Sequence, residues 1–276
     1  MLIDAHQHFW KYNPDEYSWI NDDMSILKKD FLPDDLAKEL KQINFDGSIV
    51  VQARQNLEET NWLLNLADAF KFIKGVVGWV DLCSPEAENQ LIELSENKKL
   101  VGVRHVVHDE PDDNFMARDD FKNGISLLSK FNLTYDLLIF PKHLNLAKEL
   151  VSLFPNQKFI LDHIAKPLIK DQVFSSWQED ITKLAALPNV YCKLSGMVTE
   201  ADWKKWRADH FQYYLDTVFN SFGTERLMIG SDWPVCTVAG RYKEVMSIVI
   251  NYIDQFNVEV QKKILGLNCQ DFYLNN

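Results

Sequence analysis

The chain has 276 residues, 29 Lys+Arg against 40 Asp+Glu and a formal net charge of −11, with 46% hydrophobic and 25% charged residues. These are the proportions of a folded globular protein with a sizeable core. Charges interrupt every long apolar run, which excludes a membrane-spanning helix, and an acidic chain without a basic stripe excludes a nucleic-acid binder.

A short apolar run at Leu2-Ile3 reads as the first strand. Phe9 to Leu32 follows, far longer than an ordinary strand-to-helix loop and rich in aromatics: Phe9, Trp10, Tyr12, Tyr17, Trp19 and Phe31. It reads either as a lid or aromatic wall over a site, or as a minicore that stabilises itself. Pro33 to Ile43 is a predicted helix, with proline in its first turn and Leu36 and Leu40 four apart. Strand Ser48 to Val51 precedes helix Asn61 to Phe70. Strand Gly75 to Val80 precedes helix Pro85 to Leu94, which starts after the good N-cap residue Ser84. Val101 to Arg104, Thr134 to Ile139, Phe159 to Leu161, Val190 to Cys192 and Leu227 to Ile229 complete the strands. Their helices are Asp119 to Phe131, Pro141 to Phe154, Ser176 to Leu187, Trp203 to Phe222 and Tyr242 to Phe256.

Short, continuous, often β-branched runs are the mark of buried parallel strands. Eight of them alternating with eight helices predict an α/β fold, a single (β/α)8 TIM barrel over residues 1–276 with a long first βα loop. A doubly wound open sheet is the rival, but neither GxGxxG nor GxxxxGK[ST] occurs to support it.

In a barrel, polar residues at strand ends converge on one mouth. The first strand ends Asp4-Ala5-His6-Gln7-His8, and residues two apart in an extended chain face the same way, so both imidazoles point inward. The sixth strand ends Leu161-Asp162-His163 and the eighth ends Ile229-Gly230-Ser231-Asp232. His6, His8, His163 and Asp232 are therefore the candidate catalytic set. Alone, His163 could be a structural histidine and Asp232 a turn residue. Gln52, Arg104, His105 and Lys193 also end strands and are candidate substrate contacts. Alternation lets only one of Arg104 and His105 face the mouth. Arg104 could instead pair with a loop carboxylate such as Asp81, and Lys193 could be a structural ion-pair partner. Trp233 could stack on substrate or pack under the last loop. His108 in its acidic loop, His143 in a helix's first turn and His210 within a helix rank lower, and Cys236 reads as packing.

These segments resemble the amidohydrolase superfamily, whose barrels carry HxH after the first strand and Asp after the eighth. The closest likeness is to its sugar-lactone hydrolases, the L-fuconolactonase-like and rhamnonolactonase-like proteins. The likeness rests on Asp4 to Trp10, Val51-Gln52-Ala53, Gly102 to His105, Leu161 to Pro167, Lys193 to Gly196 and Gly230 to Pro234. It implies hydrolysis of a sugar lactone to the sugar acid. The binuclear members carry a bridging lysine after the fourth strand; here that strand ends Arg104-His105. The resemblance thus implies either no required cofactor or one divalent, zinc-like metal ion on His6, His8, His163 and Asp232. Asp232 would be the general base, and the three histidines would polarise the carbonyl. Alternatives are a metal-dependent decarboxylase of the same superfamily, a hydrolase of a non-sugar ester or amide, and a barrel that only binds its ligand. The expected partner is a small-molecule sugar lactone, with no nucleic acid and no membrane, for a monomer or homodimer. Four scattered cysteines without CxxC, and a start lacking a basic and then apolar leader, point to the cytoplasm.

Overall fold

The computed structural model describes residues 1–275. Among them, eight strands form one parallel sheet in sequential order: β1 (Ile3–Gln7), β2 (Gly47–Val51), β3 (Ile73–Gly78), β4 (Leu100–His105), β5 (Thr134–Leu137), β6 (Phe159–Leu161), β7 (Val190–Leu194) and β8 (Leu227–Ile229). The sheet closes where β1 meets the end of β8. The Asp232 amide donates to the His6 carbonyl (2.8 Å) and the His8 amide to the Trp233 carbonyl (2.7 Å). The closing seam of the barrel is thus built from the backbone of the candidate site itself.

The connecting helices are α1 (Pro33–Gln42), α2 (Leu57–Ala69), α3 (Ala87–Ser95), α4 (Asp119–Leu127), α5 (Leu144–Leu153), α6 (Ser175–Ala185), α7 (Gln212–Phe222) and α8 (Tyr242–Ile253). Each presents one apolar face to the barrel; in α1 that face is Pro33, Leu36 and Leu40. Start signals are chemically plain: the Asn56 side chain accepts the Glu59 amide at the head of α2 (2.7 Å). After α8 the chain forms α9 (Val258–Lys262) and two wide helical turns, Lys263–Leu267 and Gln270–Leu274. These lie across the N-terminal ends of the strands. Cys269, Phe272 and Tyr273 there join Ile3, Ala5, Ile49, Val51, Val77, Val101, Ile160 and Met228 in a buried cluster inside the barrel.

The first strand reaches Gln7, as its sequence leads one to expect, with Asp4, His6 and Gln7 all buried and hydrogen-bonded. Two sequence expectations need correction. The helix expected from Trp203 begins only at Gln212. Before it, Trp203 donates its indole N–H to the Thr199 carbonyl and Trp206 to the Ala239 carbonyl, which anchors this stretch as a loop. His210 consequently sits in a short 3-10 turn, Ala208–Phe211. The helix after β4 ends at Leu127 and tightens to a 3-10 turn at Leu128–Phe131, stopped by Asn132 in the left-handed region.

The long first loop is a minicore. Trp10 and Phe31 pair backbone to backbone (3.0 and 2.9 Å), and the Trp10 ring meets Tyr17 at 5.6 Å and Phe31 at 5.4 Å. Phe9, Trp10, Tyr17, Ile20, Leu27 and Phe31 are all buried. Arg54 fastens the loop from the far side, pairing with Glu16 (2.6 Å) and lying over the Tyr17 ring.

Candidate active site

β1 delivers two imidazoles to the C-terminal mouth, and each is held by its Nδ1. The His8 Nδ1 lies 2.7 Å from the Val51 carbonyl oxygen, which can only accept. The His8 Nδ1 therefore carries a proton, and its Nε2 turns toward the cluster. The His6 Nδ1 faces Asp162 Oδ1 at 3.3 Å, while an Arg104 guanidinium N–H approaches its Nε2 at 3.4 Å. The Lys193 ammonium lies 3.2 Å from Nδ1, so His6 stands between a cation on each of its two nitrogens. The two Nε2 atoms stand 3.2 Å apart.

Asp232 faces them from the end of β8. Its Oδ1 lies 3.4 Å from His8 Nε2, 3.9 Å from His6 Nε2 and 3.8 Å from His163 Nε2. Its backbone is left-handed (φ +59°), a conformation that aspartate tolerates better than most residues. Burial opposes ionisation of Asp232, but the His163 and His8 rings hold it below the usual carboxylate range. Burial also keeps His6 and His163 well below the usual histidine range, so these rings are neutral. The cluster is dry: none of the four side chains is more than 6% exposed.

His163 reaches this cluster by strain. His163, Ile164, Ala165 and Lys166 all have positive φ, between +49° and +61°. A run of four such residues including a β-branched one is costly and persists only where the surroundings enforce it. Trp177 does so by donating its indole N–H to the Ile164 carbonyl (2.8 Å), and Lys166 by pairing with Glu200 (2.7 Å). The His163 Nδ1 meets the Ser195 hydroxyl at 2.8 Å. A hydroxyl can donate or accept, so this ring can carry its proton on either nitrogen.

Below the rings lies a buried charged layer. Asp162 takes Arg104 on Oδ2 (2.9 Å) and Lys193 on Oδ1 (3.0 Å); Lys193 also takes Asp136 (2.5 Å). Two carboxylates thus face two cations. Burial drives Asp136 up to about 6 against the pull of Lys193. Gln52 is locked to Arg104: the guanidinium donates to its side-chain oxygen (3.3 Å) and its backbone carbonyl (2.5 Å). Arg104 and Lys193 therefore point inward as expected, but toward Asp162 and Asp136 and not toward a loop carboxylate such as Asp81. His105 points away from the mouth, stacked on Phe115 (4.6 Å) and bonded to Glu110 (2.6 Å). Trp233 is buried edge-on against Phe9 and Phe31, and Cys236 is fully buried.

Several residues escaped the sequence reading. Asp4 accepts the amide (2.9 Å) and hydroxyl (2.6 Å) of Ser231 and the Tyr242 hydroxyl (3.1 Å), tying β1 to the segment that carries Asp232. Asp136, Asp162 and Ser195 support the rings. A charge inside an apolar run, as in Thr134-Tyr135-Asp136-Leu137, was the available signal for Asp136.

The donor set suits one divalent cation. His6 Nε2, His8 Nε2 and Asp232 Oδ1 converge within 4.8 Å, and His6, Asp162 and His163 form a second such group. The two Nε2 atoms at 3.2 Å require a proton or a cation between them. Tetrahedral zinc, with bonds of about 2.0–2.1 Å, places its ligand atoms at about this mutual spacing.

The sequence pattern of the amidohydrolase family matches residues 3–274. A Burkholderia multivorans protein named L-fucono-1,5-lactonase is 40% identical over 259 residues, spanning 90% of this chain and 87% of that protein. Its Burkholderia ambifaria counterpart of the same name is 32% identical, over 98% and 94% of the two chains. The crystal structure of a Burkholderia multivorans amidohydrolase with bound zinc superposes with a TM-score of 0.96 at 37% identity, covering 99% of each chain.

Proposed function

The chain belongs to the amidohydrolase family, and on that premise we propose that it hydrolyses a sugar lactone to the corresponding sugar acid, with Asp232 as general base. The observation that carries this reading is the Asp232 carboxylate, held ionised in a dry cluster and facing three imidazole nitrogens. Hydrolysis of a lactone requires a base for the attacking water, a partner for the developing oxyanion and a proton for the leaving alkoxide. The Asp232 carboxylate takes one proton as the water oxygen bonds to the carbonyl carbon. The same proton passes to the ring oxygen as the C–O bond breaks, and the hydroxy acid leaves.

His163 is the ring suited to donate an Nε2–H to the carbonyl oxygen, since its partner Ser195 tolerates that tautomer. His6 and His8, whose Nε2 atoms face Asp232, are suited to hold a divalent ion together with it. When bound there, such an ion supplies Lewis-acid stabilisation of the oxyanion. L-Fucono-1,5-lactone, named for the two Burkholderia relatives, is the first substrate to test. A decarboxylase would need an uncommitted cation for its substrate carboxylate, whereas Arg104 and Lys193 are each held by buried aspartates.

The test is a pH-indicator assay with L-fucono-, L-galactono-, L-rhamnono- and D-arabinonolactones, before and after chelation. Acid release from a lactone by the parent protein, falling at least ~100-fold in Asp232→Asn, is the expected result. No acid release from any lactone, with or without added zinc, would sink the reading. Near-normal turnover by Asp232→Asn would remove Asp232 as the base.

A further inference from the structure

On the mouth side of the barrel, three βα loops enclose an open cleft of about 320 Å³. The long first loop contributes Glu16, the loop after β2 contributes Arg54 and Gln55, and the loop after β4 contributes Val106 and Asp109. The cleft begins just beyond Val51 and Gln52, whose carbonyls hold His8 and Arg104. Its walls are tied together. Glu59 Oε2 takes the amides of Ala53 (2.9 Å) and Arg54 (2.7 Å), Gln55 Oε1 takes the Val106 amide (2.8 Å), and Arg54 pairs with Glu16 (2.6 Å). These contacts set the shape of the cleft before any ligand arrives.

We propose that this cleft is the subsite for the hydroxyl groups of the substrate, with Arg54 and Asp109 selecting a neutral lactone that carries adjacent hydroxyls. This inference deepens the lactonase reading and rests on it.

A hydroxyl both donates and accepts, so a row of hydroxyls is matched by donors set among acceptors. The cleft offers both, and both are unused. An arginine has five N–H donors in a fixed fork. Beyond Glu16, no group among the described residues accepts a hydrogen bond from the Arg54 guanidinium; Glu59 stands too far off at 3.7 Å, and the Nε is unpartnered. The guanidinium lies over the Tyr17 ring at 5.6 Å, which limits its movement. Asp109 bonds His108 through Oδ1 (3.1 Å), and among the described residues nothing bonds its second oxygen. That His108 bond, with a smaller pull from the Lys166 ammonium, keeps the Asp109 carboxyl below the usual range and so an acceptor. The same ammonium, beside burial and the His163 and His8 rings, acts on Asp232, so Asp109 and the reacting cluster share one electrostatic neighbour. Two carboxylates face one cation in the cleft, so a substrate carboxylate finds no free positive charge there, whereas neutral hydroxyls find donors and acceptors. Removing a hydrogen bond to a charged group weakens binding about 10–100-fold.

The experiment uses the full chain with L-fucono-1,5-lactone and with δ-valerolactone, the same ring without hydroxyls. Its readout is the ratio of kcat/KM for the hydroxylated lactone to that for the bare one. Asp109 is exposed, so Asp109→Ala should fold as the parent does. Arg54→Lys keeps a charge opposite Glu16 and removes the planar fork. In each variant the ratio should fall at least about fivefold, most of it through KM for the hydroxylated lactone. Asp112→Ala, in the same acidic loop but outside the cleft, should keep the parent's ratio. A smaller fall in either cleft variant would overturn the proposal. So would a matching fall in Asp112→Ala, which would make the effect one of loop folding or surface charge. If the parent turns over no lactone, the lactonase reading fails separately. The cleft is then judged by saturation-transfer NMR with 1,5-anhydro-L-fucitol, a neutral ring with the same hydroxyls and no carbonyl. A signal in the parent that is lost in Asp109→Ala would support the subsite, and no signal, or an equal one in both, would overturn it.

Discussion

Two glycines let parts of the site approach where any side chain would collide. Gly196 has φ +63°, and a methyl there would stand 2.5 Å from His163 Nδ1; at Gly230 it would stand 2.8 Å from the His6 Cβ. Gly196→Ala should therefore displace His163, costing at least ~2 kcal/mol of stability and most of kcat. Gly223 is the control. It too has positive φ (+68°), but with nothing within 4 Å of an added methyl, so Gly223→Ala should cost about 1 kcal/mol and leave kcat alone. Thermal melts and steady-state kinetics on both variants check this. His105 offers a second test at this scale. Burial lowers its folded pKa below the ordinary histidine value of about 6.5, although Glu110 pulls the other way. Between the folded and unfolded values the unfolded chain binds more protons, so stability is lost as pH falls through that window. His105→Gln cannot take up that proton. Its melting temperature should gain on the parent's as pH drops below the unfolded histidine value, and a difference independent of pH would refute this assignment.

Elements differ in what holds them. The eight βα units are held by apolar faces, whereas the stretch from Phe9 to Leu32 is held by its own aromatic cluster and by Arg54. A lid opens and closes; a loop with Trp10 wholly buried, its indole N–H on the Lys29 carbonyl (2.9 Å), does not. Trp10→Ala should destabilise the protein by ~3–5 kcal/mol, the cost of a large-to-small core change. Amide exchange across this segment should be as slow as in the barrel strands. Exchange on the timescale of free loops would restore the lid. The strained turn from His163 to Lys166 is the opposite kind of element, short and costly, and fixed by Trp177 and Glu200 from outside.

At the scale of the whole molecule, the net charge of −11 and the balanced buried layer have different consequences. The surface charge repels anions over about a Debye length, roughly 8–10 Å at ordinary salt. A neutral lactone feels none of it. The kcat/KM for the preferred lactone should change by less than about twofold between low salt and about 0.5 M NaCl. A steep dependence would point to a charged substrate. Among the described residues no helix is long and apolar enough to cross a membrane, in line with the interrupted apolar runs of the sequence.

Local sequence by itself determined the eight-unit alternation and the candidate set His6, His8, His163 and Asp232, because buried strands are short apolar runs and the polar residue ending each run has to face the mouth. It also determined that only one of Arg104 and His105 could face inward, since strand residues alternate; which one depends on phase, and phase is set by how the closed barrel registers its strands. Tertiary structure alone decided the partners. Tyr273 and Asp136 lie 137 residues apart, Ser231 and Asp4 227 apart, and no local pattern pairs groups at such separations. It also decided that Trp203 to Arg207 is loop and not helix, because two indole N–H groups find their acceptors across space. The left-handed backbone at His163 and Asp232 was equally hidden, since neither residue type announces positive φ and the strain is imposed by the packing around it.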